Sequence, residues 1–352
     1  MGISEARTTQ TRHSCRGANF TLTTVGAVSR SMEEDILAGL KSTPKTIPAK
    51  YLYDAEGSRL FDRICGLPEY YLTRTETAIL KRHADEILTR IGQKLCVIEL
   101  GAGACHKGRL LLESGNVSTF VPVDISTAYL RSAGLRIAGS FPYISVHAVA
   151  MDFLAALSSL ELLLPHDGRR LLFYAGSSIG NFDPSDACRV LGQFGGMLRL
   201  GEMLLIGYDL RKNPAILRRA YNDSRGVTAA FNLNLLVRFN RELRADFDLS
   251  AFRHVALYND ILGRIEMHLE SVTWQAVKIG NERISFDARE RIHTENSYKY
   301  SVAEFDAIAA AAGFGPVGLW MDPAAQFAVG LFEKRDSSRF PQGRESEEKC
   351  HD

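Results

Sequence analysis

The stretch from Cys96 to Asp124 constrains the fold of this chain more than any other part of it. An apolar run leads into Gly101 and Gly103, and a leucine-rich segment and a second apolar run ending at Asp124 follow. This pattern predicts a buried strand from Cys96 to Leu100, a glycine turn, a helix and a second strand. Such a turn lets backbone N–H groups and a helix N-terminus approach a ligand closely, and the acid can hold ribose hydroxyls.

The turn lacks one glycine of the dinucleotide-binding fingerprint. Ala104, Cys105 and His106 follow Gly103, so a histidine stands where that fingerprint has its third glycine. The difference favours a nucleoside without a pyrophosphate, which points to S-adenosylmethionine. A glycine turn after a strand is also common in ordinary strand-to-helix connections, so the turn alone leaves both interpretations open.

Strands and helices continue to alternate beyond this stretch. We expect a helix over 126–140, a strand that ends near Asp152, a strand that leads into a glycine-containing loop, a helix begun by Pro184 and a fifth strand that ends at Asp209. Strands and helices that alternate at this spacing predict an α/β fold with a doubly wound parallel sheet.

The alternation stops after Asp209. Residues 211–270 read as mostly helix with polar loops, and an alternating pattern from Trp274 to Ile279 predicts an antiparallel strand. We therefore expect a second, mostly helical domain built from the N-terminal segment and an insertion. The expected division is a disordered lead at 1–25, a cofactor-binding domain at 75–210 plus 300–333, a substrate-binding domain at 26–74 plus 211–299, and a flexible tail at 334–352.

The amino-acid composition limits the classes of partner that the chain can bind. With 352 residues, 45% of them hydrophobic and 24% charged, the chain is typical of a globular protein. A net charge of +1 argues against a general nucleic-acid binder. The six cysteines form no Cys-x-x-Cys pair, so we expect neither a metal site nor a disulfide framework. No apolar run is long enough to span a bilayer. We expect a cytoplasmic monomer that acts on a small molecule, with no nucleic-acid or membrane partner.

Several stretches occur together and in order from Lys41 to Phe332, among them YLYDAEGSRLFDRICGLPEYYLTRTE, ELGAGACHKGRLLL, GSSIGNF, AYNDSRGVTAAFNLNLL and HTENSYKY. The chain thereby resembles the histidine Nα-methyltransferases of the ergothioneine pathway. The resemblance implies a Rossmann-like class I methyltransferase fold and S-adenosylmethionine as the cofactor. It also implies trimethylation of the α-amino group of L-histidine to hercynine, the first step of ergothioneine biosynthesis.

The resemblance assigns cofactor-binding roles to Gly101, Gly103, Lys107, Asp124, Asp152 and Phe153. The two glycines would form the turn, and Lys107 would face the methionine carboxylate. Asp124 would take the ribose hydroxyls. Asp152 and Phe153 would hold adenine.

The resemblance also implies that histidine is held at both ends. Its substrate-binding and catalytic residues would be Tyr53, Tyr70, Gly176, Asn181, Tyr221, Met267, Glu295 and Ser297. Asn181 and Tyr221 can both donate to the α-carboxylate, whereas Glu295 and Ser297 would bind the imidazole. We assign Tyr53 to positioning the amine, possibly through water, and claim no proton abstraction. The remaining residues would close the pocket.

Without the resemblance, simpler interpretations of these residues stand. Asn181 could be a turn residue, Tyr221 and Met267 could pack in the core, and Glu295 could be a solvated acid. Two other functions also stay open: methylation of a tryptophan-derived amine, as in fungal relatives, and cofactor binding without catalysis. An indole has one N–H donor and no acceptor, so the pair of Glu295 and Ser297 favours histidine.

Overall fold

A nine-stranded β-sheet runs through this computed structural model, which describes residues 8–9, 19–26, 31–165 and 167–336. The strands, in chain order, are β1 (Thr8–Thr9), β2 (Phe20–Val25), β3 (Lys45–Thr46), β4 (Leu95–Leu100), β5 (Val117–Asp124), β6 (Ser145–Ala150), β7 (Arg169–Tyr174), β8 (Met203–Asp209), β9 (Phe252–Asn259), β10 (Arg264–Ser271), β11 (Gln275–Ile279), β12 (Glu282–Phe286), β13 (Arg291–Tyr298), β14 (Phe314–Met321) and β15 (Phe327–Lys334). Short 3₁₀ turns lie at Ala49–Leu52, Ser178–Asn181 and Leu249–Ala251.

Helices connect the strands. They are α1 (Met32–Leu40), α2 (Ala55–Cys65), α3 (Tyr71–Ile91), α4 (His106–Leu112), α5 (Thr127–Ser140), α6 (Leu157–Leu163), α7 (Pro184–Gly196), α8 (Pro214–Tyr221), α9 (Val227–Leu243) and α10 (Val302–Ala311). Local chemistry explains several of their ends. Ser31 and Glu34 form a capping box on α1, Ser301 and Glu304 form another on α10, and Pro184 occupies the first turn of α7.

The large sheet has the spatial order β1-β2-β6-β5-β4-β7-β8-β15-β14. Strands β2, β6, β5, β4, β7 and β8 pair in parallel, whereas β15 is antiparallel to β8 and to β14. All residues of the central β4 are buried, as expected for a strand with both faces of the sheet covered. The predicted doubly wound α/β fold is therefore confirmed, and the carboxyl ends of β4, β5, β6 and β7 share one edge.

The inserted segment is not mostly helical. Two helices, α8 and α9, precede β9 and β10, which pair in antiparallel fashion and join β13 and β3 in a four-stranded sheet. The prediction of helix through residue 270 was wrong here, because buried and half-buried residues alternate along β10 with the period of two of a strand. The strand predicted from Trp274 is confirmed as β11, which pairs with β12.

The predicted disordered lead also needs correction. Phe20–Val25 forms β2, which pairs in parallel with β6, and Phe20, Leu22 and Val25 are buried. The alternation of large apolar residues with threonines is a strand pattern. Residues 1–7 and 10–18 of the lead lie outside the described residues. So do residues 337–352 of the predicted tail, whose first residue, Lys334, is the last of β15.

Within the described ranges, no helix is long and apolar enough to cross a membrane. The same ranges contain no group of three or more histidine, cysteine or acidic side chains that could hold a metal ion. The cysteines described, Cys65, Cys96, Cys105 and Cys188, are free thiols.

Candidate active site

A cavity lies between the edge of the large sheet and the four-stranded sheet. The structure brings together in its wall every residue that the sequence assigns to substrate or catalysis, namely Tyr53, Tyr70, Gly176, Asn181, Tyr221, Met267, Glu295 and Ser297.

Distant parts of the chain supply these side chains. The loop after β7 contributes Gly176 and Asn181, and Tyr221 is the last residue of α8. Met267 stands on β10, opposite Glu295 of β13. Glu295 and Ser297 are two residues apart on one strand, so both face the cavity.

Glu295 is buried in this wall. Asn181 Nδ2 donates to Glu295 Oε1 at 3.4 Å. Burial raises the pKa of the Glu295 carboxyl to about 7, although the nearby Lys299 ammonium acts to lower it. Glu295 is therefore not a solvated acid. It can switch between an accepting carboxylate and a neutral carboxylic acid near neutral pH.

The tyrosines at the cavity remain phenols. Burial raises the pKa values of Tyr53 and Tyr70 well above the usual value, and the negative charge of Glu295 adds to the shift. Tyr53 packs edge-on against Phe61 and Phe231, with ring centroids 5.6 Å apart in each case. Both side chains can donate a hydrogen bond or offer a ring face, but neither can act as a phenolate base at neutral pH.

Phe61 and Phe231 also line the cavity and were missed by the sequence reasoning. Ser177 was missed as well. It takes the left-handed conformation at φ 58°, and its Oγ accepts from the Asp209 N–H at 3.0 Å. A non-glycine residue in that conformation next to Gly176 is a sign of a constrained functional loop. The quoted stretches contain all three residues, but nothing in the sequence distinguishes them from core packing.

A second, larger cavity opens at the carboxyl ends of β5 and β6. Asp152, Ser126 and Lys50 line it, and Lys50 Nζ lies 3.8 Å from Asp152 Oδ2. Tyr53 lines both cavities. It therefore stands where a molecule in one cavity meets a molecule in the other.

The glycine turn fits a nucleoside. Gly101 and Gly103 have φ values of 67° and 49°, and a Cβ built at either would meet no atom within 4 Å. Open space beside such a backbone is what a closely approaching ligand requires. Asp124 is the last residue of β5, and its carboxylate accepts from the N–H groups of Gly103 and Ser126, both at 2.9 Å. The acid is thus held beside the turn, and its contact with ribose hydroxyls stays a prediction.

Lys107 and Phe153 have partners within the protein. Lys107 Nζ lies 2.5 Å from Glu76 Oε2, and both carboxylate oxygens of Glu76 also accept from the Gly176 N–H. Phe153 packs edge-on against Tyr174, with ring centroids 6.1 Å apart. Contact of Lys107 with the methionine carboxylate and of Phe153 with adenine stay predictions.

The strand order, the glycine turn after β4 and the acid at the end of β5 are the features of the Rossmann-like, class I S-adenosylmethionine-dependent methyltransferases. The chain belongs to that class. Comparison with known families then defines it further. The model of the family described as histidine-specific methyltransferase, SAM-dependent, matches residues 32–334, so the chain is a member of this family of enzymes.

Individual relatives differ in similarity. The histidine N-alpha-methyltransferase of Mycolicibacterium smegmatis is 42% identical over 87% of this chain and 95% of its own length. Ergothioneine biosynthesis protein 1 of Neurospora crassa is 32% identical over 80% of this chain and 32% of its own length. The L-tryptophan methyltransferase trpM of Psilocybe serbica is 29% identical over 84% of this chain and 90% of its own length.

Proposed function

We infer that this enzyme transfers methyl groups from S-adenosylmethionine to the α-amino group of L-histidine, three times in succession, to give hercynine in ergothioneine biosynthesis. One observation carries the inference. One cavity contains a buried carboxyl group, a carboxamide and several hydroxyl groups, and Tyr53 lines both this cavity and the larger one at the carboxyl ends of β5 and β6.

These polar groups complement both ends of histidine. The hydroxyl of Tyr221 and the amide of Asn181 can donate to the α-carboxylate. Glu295, as a carboxylate, can accept from a ring N–H of the imidazole, and the hydroxyl of Ser297 can bond the other ring nitrogen. A buried acceptor of this kind rejects a ligand that leaves it unpaired, which makes the ring end selective.

The methyl donor would be held at the larger cavity by the glycine turn, Asp124 and Asp152. S-adenosylmethionine supplies an electrophilic methyl group on a positively charged sulfur. The protein's task is to align the amine, and alignment can contribute about 7 to 11 kcal/mol in well-oriented systems. The amine must be neutral, and α-amino groups of peptides titrate at about 7.7 to 8.0. Since Tyr53 stays protonated, we assign it to orienting the amine and not to removing its proton.

The amine gains bulk and a permanent charge as methyl groups accumulate. Tyr53, Phe61, Tyr70 and Phe231 surround the space with aromatic rings. Aromatic faces attract a quaternary ammonium group, and each such contact is worth about 0.5 to 2 kcal/mol. The rings can therefore replace the hydrogen bonds that the nitrogen loses at each round.

The second candidate substrate is tryptophan or a related amine, because a tryptophan methyltransferase is among the relatives. An indole would leave Glu295 or Ser297 without a complementary partner, since it offers one donor and no acceptor. The buried position of both residues makes that loss costly.

Mass spectrometry of a competition reaction tests the proposal. The purified protein is incubated with S-adenosylmethionine and equal concentrations of L-histidine and L-tryptophan. We expect three successive methyl additions to histidine and little change in tryptophan. Methylation of tryptophan alone would overturn the substrate assignment. Binding of S-adenosylhomocysteine without methylation of either amino acid would indicate a non-catalytic module.

A further inference from the structure

Lys299 lies directly behind the wall of the substrate cavity and is 1% exposed. Its Nζ atom contacts three oxygen atoms: Asp209 Oδ2 at 2.8 Å, Ser297 Oγ at 2.7 Å and the Tyr221 hydroxyl at 3.2 Å. Burial lowers the pKa of this ammonium group, but Asp209 and Tyr221 more than offset the effect, and the pKa is raised above its usual value. A permanent cation thus touches two side chains that line the cavity.

The contacts determine where the hydroxyl hydrogens point. An ammonium group has three N–H donors and no acceptor, and all three donors of Lys299 are used. The hydroxyl oxygens of Tyr221 and Ser297 therefore accept from the lysine, and their own hydrogens must point elsewhere. These two oxygens are 2.7 Å apart, so one hydroxyl donates to the other. The other hydroxyl keeps its hydrogen free to donate to an acceptor in the cavity, which both side chains line.

The charges around Lys299 do not cancel. Asp209 also lies 2.5 Å from Lys212 Nζ and accepts from the Tyr71 hydroxyl at 2.6 Å. One carboxylate is thus shared by two amines. Burial lowers the pKa of Lys212 to about 8, so both amines are charged and the cluster is net positive below that pH. Asp209 and Lys299 are buried, so solvent screens their charges less than it would at the surface. The cluster also offsets the negative charge of Glu295, which would otherwise repel an anionic group in the same cavity.

We propose that Lys299 is a positioning residue that makes this cavity selective for a substrate carrying a carboxylate. It turns the hydroxyl hydrogens of Tyr221 and Ser297 away from itself and holds a positive charge behind them. The inference rests on the proposed function, because it takes the α-carboxylate of histidine as the group that the Tyr221 hydroxyl binds.

Calorimetric titration of histidine and histamine distinguishes this role from a structural one. Histamine has the same ring and amine but no carboxylate. Each ligand is titrated into protein saturated with S-adenosylhomocysteine. Lys299→Met should weaken histidine binding about 10- to 100-fold, the effect of losing charge-assisted hydrogen bonding. Binding of histamine and of S-adenosylhomocysteine should change by less than about threefold.

Two further variants complete the test. Lys212→Met is the matched control, since Lys212 contacts Asp209 but neither hydroxyl, and it should reduce histidine affinity less than Lys299→Met does. Asp209→Asn combined with Lys299→Met removes both charges of the buried pair, so the test can proceed if the single variant does not fold. In a double-mutant cycle, Lys299→Met and Tyr221→Phe should be non-additive for histidine affinity.

Several outcomes would overturn the proposal. They are equal losses of histidine and histamine affinity, equal effects of Lys299→Met and Lys212→Met, additive effects with Tyr221→Phe, or failure of both Lys299 variants to fold. Failure of the proposed function looks different, because the unaltered protein would then bind S-adenosylhomocysteine but not histidine.

Discussion

The contribution of Glu295 depends on its surroundings more than on its residue type. It is 9% exposed, its bond from Asn181 is long at 3.4 Å, and burial raises its pKa to about 7. A carboxylate that is costly to bury and incompletely paired is suited to accept a ligand N–H. Substitution and titration of Glu295 therefore test whether this side of the cavity binds the imidazole ring.

Glu295→Ala should raise the KM for histidine about 10- to 100-fold, because a hydrogen bond to a charged group is lost in a buried site. The Kd for S-adenosylhomocysteine should stay within about twofold, because Glu295 lines only the substrate cavity. Steady-state kinetics and calorimetry give the two numbers. Similar losses in both would show that Glu295 supports the fold instead.

The pH dependence of binding should follow the same group. With a pKa of about 7, Glu295 is mostly ionised at pH 8 and mostly neutral at pH 6. Its negative charge is present above the pKa and is lost as the pH falls through it, so the charge-assisted bond to the ring weakens and histidine affinity in the presence of S-adenosylhomocysteine should fall below pH 7. Glu295→Gln has no titrating group at this position. It therefore serves as the control for protonation of the imidazole ring of free histidine. Parallel pH profiles of the two proteins would contradict this assignment.

Strand β2 extends the large sheet beyond β6. Phe20 is 2% exposed and reaches α5, where a Cβ added at Gly134 would lie 2.5 Å from its ring. Among the described residues, β2 pairs with β6 and, over two residues, with β1, and the burial of its apolar side chains adds to this attachment. This strand also places Thr24 and Val25 at the larger cavity.

Phe20→Ala should reduce the free energy of unfolding by about 3 kcal/mol, the usual cost of removing a buried phenylalanine. Thr23→Ala, at a half-buried position of the same strand, is the control and should cost less than about 1 kcal/mol. Urea denaturation measures both. Equal, small effects would mean that β2 is not docked in solution.

Asp54 connects the N-terminal segment with the insertion. Its carboxylate accepts from the Gly57 N–H at 2.7 Å as the N-cap of α2, and from Asn234 and Arg241 of α9 at 2.8 and 2.7 Å. Burial raises the pKa of Asp54, but these bonds more than offset it and the pKa is lowered. The neighbouring Tyr53 is thereby held between the two cavities.

Asp54→Ala should destabilise the protein by about 1 to 3 kcal/mol, because a helix cap and two side-chain bonds are lost together. A lowered carboxyl pKa stabilises the fold above the ordinary aspartate pKa, so the difference from the unaltered protein should shrink as the pH falls through the native value. Arg241→Ala, which removes a half-exposed partner, should cost less than about 1 kcal/mol. Unfolding curves at pH 7 and at acidic pH test both statements, and a pH-independent loss would contradict the second.

The order of strands and helices in the parallel core was predictable from sequence. Cys96 to Leu100, Gly101 and Gly103, Asp124, and Pro184 each carry a local signal, and the predicted elements around them are confirmed. The family motifs also named residues that prove to share one cavity. Residues 20–25 and β9 to β10 were misjudged, because short alternating segments with polar residues are weak local signals until a neighbouring strand pairs with them.

The glycine turn, the parallel core and the residue types proposed for the substrate site were predictable from the sequence alone. The behaviour of those residues depends on the tertiary structure. The pKa of Glu295, the protonated state of Tyr53 and the three contacts of Lys299 arise from side chains that are far apart along the chain. Burial and pairing depend on where the chain returns to itself, and no local propensity contains that information.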